Sequence, residues 1–235
     1  MFNFIANNDI DQFPPIEEAW DGIVALGGQL TTARLLSAYR QGIFPWSSAN
    51  QPLMWWSPDP RMLMRPEEVK ISKSMRKILA RAEFKITLDT AFEEVIRNCA
   101  SIPRPGQEPL EGEESGAWLT EEMQEAYINL HKAGHAHSVE AWQDGQLVGG
   151  LYGVAVGWNF SGESMFAKVS NASKAAYLTL VPLLGQLGFQ WIDCQMYTEH
   201  LSSLGARLYP RQMYLDFLKE NEQEVGIQGS WTHLL

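Results

Sequence analysis

The sequence predicts an α/β (α+β) chain in two parts. Residues 1–62 form a small, loop-rich domain, and residues 63–235 form a larger domain on a mixed, largely antiparallel sheet. Three observations carry this expectation. Pro, Gly and Trp crowd the first sixty residues, and Pro45, Pro52, Pro58 and Pro60 forbid long elements after residue 44. From about residue 63 the texture changes to alternating strand and helix periodicities. Within that alternation a hairpin signal is followed by a third strand, a long apolar helix and one further strand.

The elements follow in order. Thr31 or Thr32 can cap a short helix whose Leu35, Leu36 and Tyr39 make an apolar stripe, with Gly42 as its stop. Residues 72–82 read as a helix with Met75, Ile78, Leu79 and Ala82 inward, and 84–88 as a strand. Thr90 and Glu93 form a capping box for a helix carrying Phe92, Val95, Ile96 and Cys99. Residues 101–116, rich in Pro, Gly and Glu, read as a mobile loop. Thr120 caps the next helix, through Met123, Ala126, Tyr127 and Leu130, and Gly134 ends it. AHSVEAWQ, the turn Asp144-Gly145 and QLVGGLYGVAVG give the hairpin, and residues 158–167 the third strand. A helix over about 171–187 and a strand over 189–196 complete an acyltransferase-type plan.

Composition narrows the classes. With 235 residues and 45% apolar content the chain has ample material for a globular core. A formal net charge of -10 argues against a surface that binds nucleic acid everywhere, so any such contact must be local. The start, MFNFIANNDIDQF, lacks the pattern of a signal peptide, and no run approaches the ~18 apolar residues of a spanning helix. Cys99 and Cys194, far apart, make no disulfide framework. The expected compartment is the cytoplasm, where the Asn-x-Ser matches at Asn159 and Asn171 carry no glycosylation meaning.

Chemistry concentrates in two strands. Glu163 lies inside the apolar run WNFSGESMFA, where a carboxylate is costly to bury unless paired. Asp193 and Gln195 stand two apart in FQWIDCQM, so a regular strand projects them together and turns Cys194 away. With no His placed to activate it, Cys194 reads as a spectator thiol. Between residues 70 and 85 there are six Lys or Arg and one acid, Glu83. Lys73, Arg76, Lys77 and Arg81 therefore suit either phosphate contact or a solvated helix face. The rings of Tyr39, Phe44, Trp46, Trp55 and Trp56 suit either base stacking or a small core. His131, His135 and His137 read as hydrogen-bonded groups at a helix end and strand start, without the partners of a metal site. QLVGG at 146–150 is a faint version of a coenzyme A pyrophosphate loop, but it reads as strand and is followed by Leu151.

Nine motifs in order resemble those of one family. ALGGQL (25–30), AYRQGIFPW (38–46), WWSPDPR (55–61), AHSVEAW (136–142), LVGGLYGV (147–154), GESMF (162–166), NASK (171–174), IDCQ (192–195) and SLGAR (203–207) closely resemble the leucyl/phenylalanyl-tRNA–protein transferases. The resemblance implies a bacterial, cytoplasmic enzyme. It moves Leu or Phe, sometimes Met, from aminoacyl-tRNA to the α-amine of proteins beginning with Lys or Arg, which directs them into the N-end rule degradation pathway. It also implies a small amino-terminal domain on a GNAT-like domain, no cofactor and no metal. Asp193 and Gln195 match the catalytic pair. Trp46 should stack the terminal adenine of tRNA with Tyr39 close by, and Met165 should line the pocket for the transferred side chain. Glu163 is the candidate for orienting an amino group, and the basic helix for contacting tRNA. The sequence departs from the family at Ala167, where Ser is frequent, and at Lys70-Ile71-Ser72-Lys73-Ser74, where HISRS is frequent. No membrane association is expected, and a monomer is the default state. Two other readings stand beside this one: a coenzyme A-dependent N-acetyltransferase on the same fold, and a non-catalytic RNA-binding module.

Overall fold

The computed structural model describes residues 3–6, 12–47, 51–102 and 119–235. Most of the loop expected over 101–116 lies outside the described residues. The strands are β1 (Phe4–Ile5), β2 (Ile23–Gly27), β3 (Phe44–Pro45), β4 (Met54–Trp56), β5 (Arg61–Met64), β6 (Lys85–Leu88), β7 (Ala136–Gln143), β8 (Gln146–Val156), β9 (Asn159–Ala167), β10 (Trp191–Gln195) and β11 (Arg207–Tyr209). The α-helices are α1 (Thr32–Arg40), α2 (Lys73–Ala80), α3 (Phe92–Ser101), α4 (Glu121–Lys132), α5 (Ala172–Gln186), α6 (Glu199–Ser203) and α7 (Arg211–Glu220).

They build two sheets. A four-stranded sheet, in the order β1-β2-β4-β3, carries the amino-terminal part, and a seven-stranded sheet, β11-β5-β10-β9-β8-β7-β6, carries the rest. Arg61 and Met62 already lie in β5 of the larger sheet. In that sheet β9 and β10 run parallel while the other neighbours are antiparallel. The parallel pair requires a crossover, which α5 supplies. The result is a mixed α/β fold of GNAT-like plan.

Both faces of the large sheet are covered. Leu151 and Ala155 of β8 face a core shared with α5, whereas Tyr152, Val154 and Val156 face a second core shared with α3 and α4. That alternation explains why β8 reads as an almost unbroken apolar run. Gly149 allows α5 to start directly against β8, since a Cβ there would meet that of Ala172 at 2.5 Å. The glycines of QLVGG thus serve packing within a strand. The second core also contains Leu35, Tyr39, Phe44 and Trp55, so the two sheets share one apolar interior.

Thr31 and Thr120 cap their helices as the sequence predicts, and Ser72, read as the first residue of α2, caps it instead; each accepts from the backbone N–H three residues on, at 3.2–3.3 Å. The start of α3 differs. Its cap residue is Ala91, with no side-chain cap of its own. The fully buried Glu140 of β7 accepts from the backbone N–H groups of Thr90 and Ala91 and from the Thr87 and Ser138 hydroxyls. A tertiary carboxylate has replaced the local Thr90–Glu93 box, and Thr90 donates instead to Leu88 O at 3.1 Å. Ala82, expected inward, sits exposed in the turn after α2 at φ 49°.

Candidate active site

A cavity of about 680 Å³ opens beside β9 and β10. Its walls are largely apolar, with Phe160, Met165, Tyr177, Ile192 and Leu201 among them, and Glu163, Gln195 and His200 supply polar atoms. A few convergent polar groups in an apolar cleft of this size are what a small-ligand site requires.

Glu163 projects from β9 and is only 8% exposed. It is paired as its burial demands. Tyr39 from α1 donates to its Oε1 at 2.7 Å, Tyr127 from α4 donates to its Oε2 at 2.9 Å, and Gln195 Nε2 donates to Oε1 at 2.9 Å. The two tyrosine hydroxyls are themselves 2.8 Å apart. Burial lifts the Glu163 pKa to about 7; the two tyrosine hydrogen bonds hold it down and the Asp193 charge adds to the lift. Burial, with the Glu163 charge nearby, pushes both tyrosine hydroxyls well above their ordinary value.

Asp193 is 1% exposed and sits beneath Gln195 rather than beside it. Arg61 of β5 grips it with two hydrogen bonds, Nε to Oδ1 at 2.7 Å and a terminal nitrogen to Oδ2 at 2.6 Å. Tyr214 of α7 and Ser161 of β9 also donate to Oδ2, at 3.2 and 3.3 Å. Arg61 donates its remaining terminal nitrogen to Gly42 O at 3.1 Å and lies over the rings of Phe44 and Tyr214. Burial opposes the Arg61 charge, and the charge and hydrogen bonds of Asp193 reverse that, leaving its pKa raised.

The expected projection of Asp193 and Gln195 from one strand face is corrected here. The β5–β10 register breaks between the two residues, and Gln195 adopts φ 64°, the left-handed region disfavoured for a side-chain-bearing residue. Asp193 Oδ1 holds this turn by accepting the Gln195 backbone N–H at 2.9 Å. The Gln195 amide is thereby aimed at Glu163. Cys194 lines the cavity next to it instead of pointing away. Burial, with the Asp193 charge behind it, pushes the thiol up to about 12, so it is protonated at neutral pH and is no nucleophile. Cys194→Ala should therefore retain most activity in a transfer assay, and a large loss would revive a covalent route.

The other sequence candidates separate. Met165 lines the cavity. Tyr39 is 2% exposed and faces Glu163, so it is not an open stacking ring. Phe44 and Trp55 are core residues, while Trp46 and Trp56 are half-buried and pack together with ring centres 5.4 Å apart. Trp56 donates to Trp46 O at 2.9 Å, holding the chain just after β3. Lys73, Arg76, Lys77 and Arg81 are all exposed on and just after α2. His131 bonds to Ala136 O at 2.8 Å, and His137 bonds to Asp89 at 2.9 Å and stacks on Trp231. Arg61, Tyr127 and Tyr214 are the site residues that sequence reasoning missed. Arg61 carried a weaker form of the Glu163 signal, a charge at the head of the apolar run RMLM.

Two family models match the chain: the leucyl/phenylalanyl-tRNA protein transferase N-terminal domain over residues 28–59, and leucyl/phenylalanyl-tRNA protein transferase over residues 63–219. Curated relatives described as leucyl/phenylalanyl-tRNA--protein transferase include one from Syntrophus aciditrophicus, 51% identical over 94% of this chain and 90% of its own length. Others come from Myxococcus xanthus, at 49% identity over 94% and 92%, and Pseudomonas syringae pv. tomato, at 49% over 93% and 93%.

Proposed function

Because the chain belongs to the leucyl/phenylalanyl-tRNA protein transferase family, it moves an aminoacyl group from tRNA to the amino terminus of a protein, and we propose that the Glu163–Gln195 end of the cavity is where it does so. The observation that carries this reading is the adjacency of an apolar cavity, sized for more than one side chain, to a buried carboxylate–amide pair. The apolar wall at Met165 receives the Leu, Phe or Met side chain of the donor. The ester to tRNA is already activated, so the protein's tasks are positioning, proton movement and leaving-group stabilisation.

An amino-terminal α-amine has a pKa near ~8, so a useful fraction is neutral at physiological pH. Gln195 donates to Glu163 through Nε2, which leaves its carbonyl oxygen to accept from the attacking amine. Asp193 acts through the backbone of Gln195. With Arg61 behind it, it keeps the bulge and hence the direction of the amide, in place of the side-chain contact expected from a regular strand. Direct attack yields the peptide bond and deacylated tRNA. Trp46 is the ring for the terminal adenine. Acceptors beginning with Lys or Arg, which the N-end rule pathway degrades, bring a cation to a cavity bordered by a carboxylate.

The exposed basic face of α2 is assigned to the tRNA backbone. Charge reversal at Lys73 and Arg76 should weaken tRNA binding and flatten its dependence on salt, measured by titration at several ionic strengths. No change in either would make this a solvated face. The acetyltransferase reading loses support because 146–150 lie within β8 rather than in a turn opening a helix. The test of the function is transfer of labelled Leu from leucyl-tRNA to a peptide beginning with Arg, beside one beginning with Ala. Label on the Arg peptide alone supports both the reaction and the acceptor rule; label on neither, with folded protein and intact tRNA, refutes the reading.

A further inference from the structure

The hydroxyl oxygens of Tyr39 and Tyr127 and the two carboxyl oxygens of Glu163 form a closed ring through three contacts: Tyr39 to Oε1 at 2.7 Å, Tyr127 to Oε2 at 2.9 Å, and the two hydroxyls at 2.8 Å. Protons can be counted around it. When Glu163 is ionised, both hydroxyls donate to the carboxylate, and no proton remains for the contact between the two hydroxyl oxygens. When Glu163 is protonated, three groups share three protons. Oε2–H then donates to Tyr127, Tyr127 to Tyr39, and Tyr39 to Oε1, which also accepts from Gln195 Nε2. The ring is complete only with one proton more than the ionised site holds.

We propose that Glu163 is the proton acceptor of the transfer: its carboxylate takes the proton that the attacking α-amine loses, and the Tyr39–Tyr127 hydroxyl pair closes into a ring that stabilises the carboxyl so formed. This rests on the aminoacyl-transfer reading. As the new N–C bond forms, the amine proton passes to Glu163; as the ester C–O bond breaks, the same proton passes to the departing ribose oxygen. The ring returns to its two-proton state, and no outside acid, base or oxidant is required. Glu163 would be a catalytic residue, whereas Tyr39 and Tyr127 position it and tune its acidity.

The groups facing Glu163 agree with this. Tyr39 and Tyr127 come from α1 and α4, Gln195 and Asp193 from β10, and Arg61 from β5. Arg61, whose charge favours ionised Glu163, is engaged by Asp193, and burial outweighs its pull. Burial places its pKa at about 7, where a proton can be both taken and returned.

The test is the rate of transfer to an Arg-initiated peptide as pH is lowered below neutrality, for the full-length wild type and Glu163→Gln. Gln at this position can fill the third donor place permanently but cannot accept a proton. In the wild type both the amine and Glu163 must be deprotonated, so the rate should fall about a hundredfold per pH unit. The residual rate of Glu163→Gln should fall only about tenfold per unit, with the amine alone. A tenfold slope in the wild type, or the same slope in both proteins, overturns the inference while leaving the function standing. No transfer by the wild type at any pH overturns the function itself. Infrared difference spectra between the two proteins supply a readout independent of activity. A protonated-carboxyl band should fade over the pH interval in which the steeper slope disappears, and in Tyr127→Phe the band and the break in slope should move together. A band that is absent, or that separates from the break, contradicts the proposal.

Discussion

Arg61→Ala is expected to cost about 3–5 kcal/mol of stability and to abolish transfer. The substitution leaves Asp193, 1% exposed, as an uncompensated charge in the interior. The remaining donors to that carboxylate, from Tyr214, Ser161 and the Gln195 backbone, are neutral and cannot replace the guanidinium. The loss also frees Gly42 O and removes the cation packed on Phe44 and Tyr214, which join the two parts of the chain. Asp193→Ala strands Arg61 in the same way and releases the Gln195 bulge. The double replacement should therefore cost less than the sum of the two single ones, since it removes both charges. Urea denaturation of the four proteins measures this, and additive losses would mean that the pair is not coupled. Transfer should stay absent in the double variant, because Gln195 is no longer held at its left-handed φ.

Glu163→Gln should show the opposite combination, transfer reduced by about 10²–10⁴-fold in a protein more stable than the wild type at alkaline pH. The native state holds the Glu163 proton to about pH 7, whereas the unfolded chain releases it near 4.5. Between those values the native state binds more protons, so stability falls as pH rises, and above pH 7 the full penalty remains. A lift from 4.5 to about 7 amounts to about 3 kcal/mol. Gln escapes this penalty while offering similar donors and acceptors. Melting temperatures should converge at acidic pH and separate at alkaline pH, with the variant higher. Equal curves would show that Glu163 is held ionised without cost. The wild-type penalty is the kind of local expense that functional sites retain.

The sequence showed the elements more clearly than the joints between them. Glu163 was legible because a carboxylate in an apolar strand has few structural uses, and burial with three donors is the outcome that argument requires. The same argument applied to Arg61, but the preceding Ser-Pro-Asp-Pro reads as a turn and hides the short strand that begins there. Asp193 and Gln195 were found as a pair, yet their geometry was not. Strand parity assumes a regular ladder, and the bulge depends on an Asp side chain capturing the N–H two residues on. At α3 the local Thr90–Glu93 pattern lost to Glu140, fifty residues away in sequence and fully buried beside it. Trp231, also fully buried and stacked on His137, lies in a segment with no periodicity to announce it. In each case the missing information was a tertiary partner.

The most direct test of the account is single-turnover transfer of labelled Leu from leucyl-tRNA to an Arg-initiated peptide by wild type and Gln195→Ala, with the protein itself also checked for label. Label is expected on the peptide and none on the protein, with the Gln195→Ala rate lower by about a hundredfold or more while its melting temperature stays close to wild type. An unchanged rate in Gln195→Ala, or label trapped on the protein before the peptide is added, would contradict it.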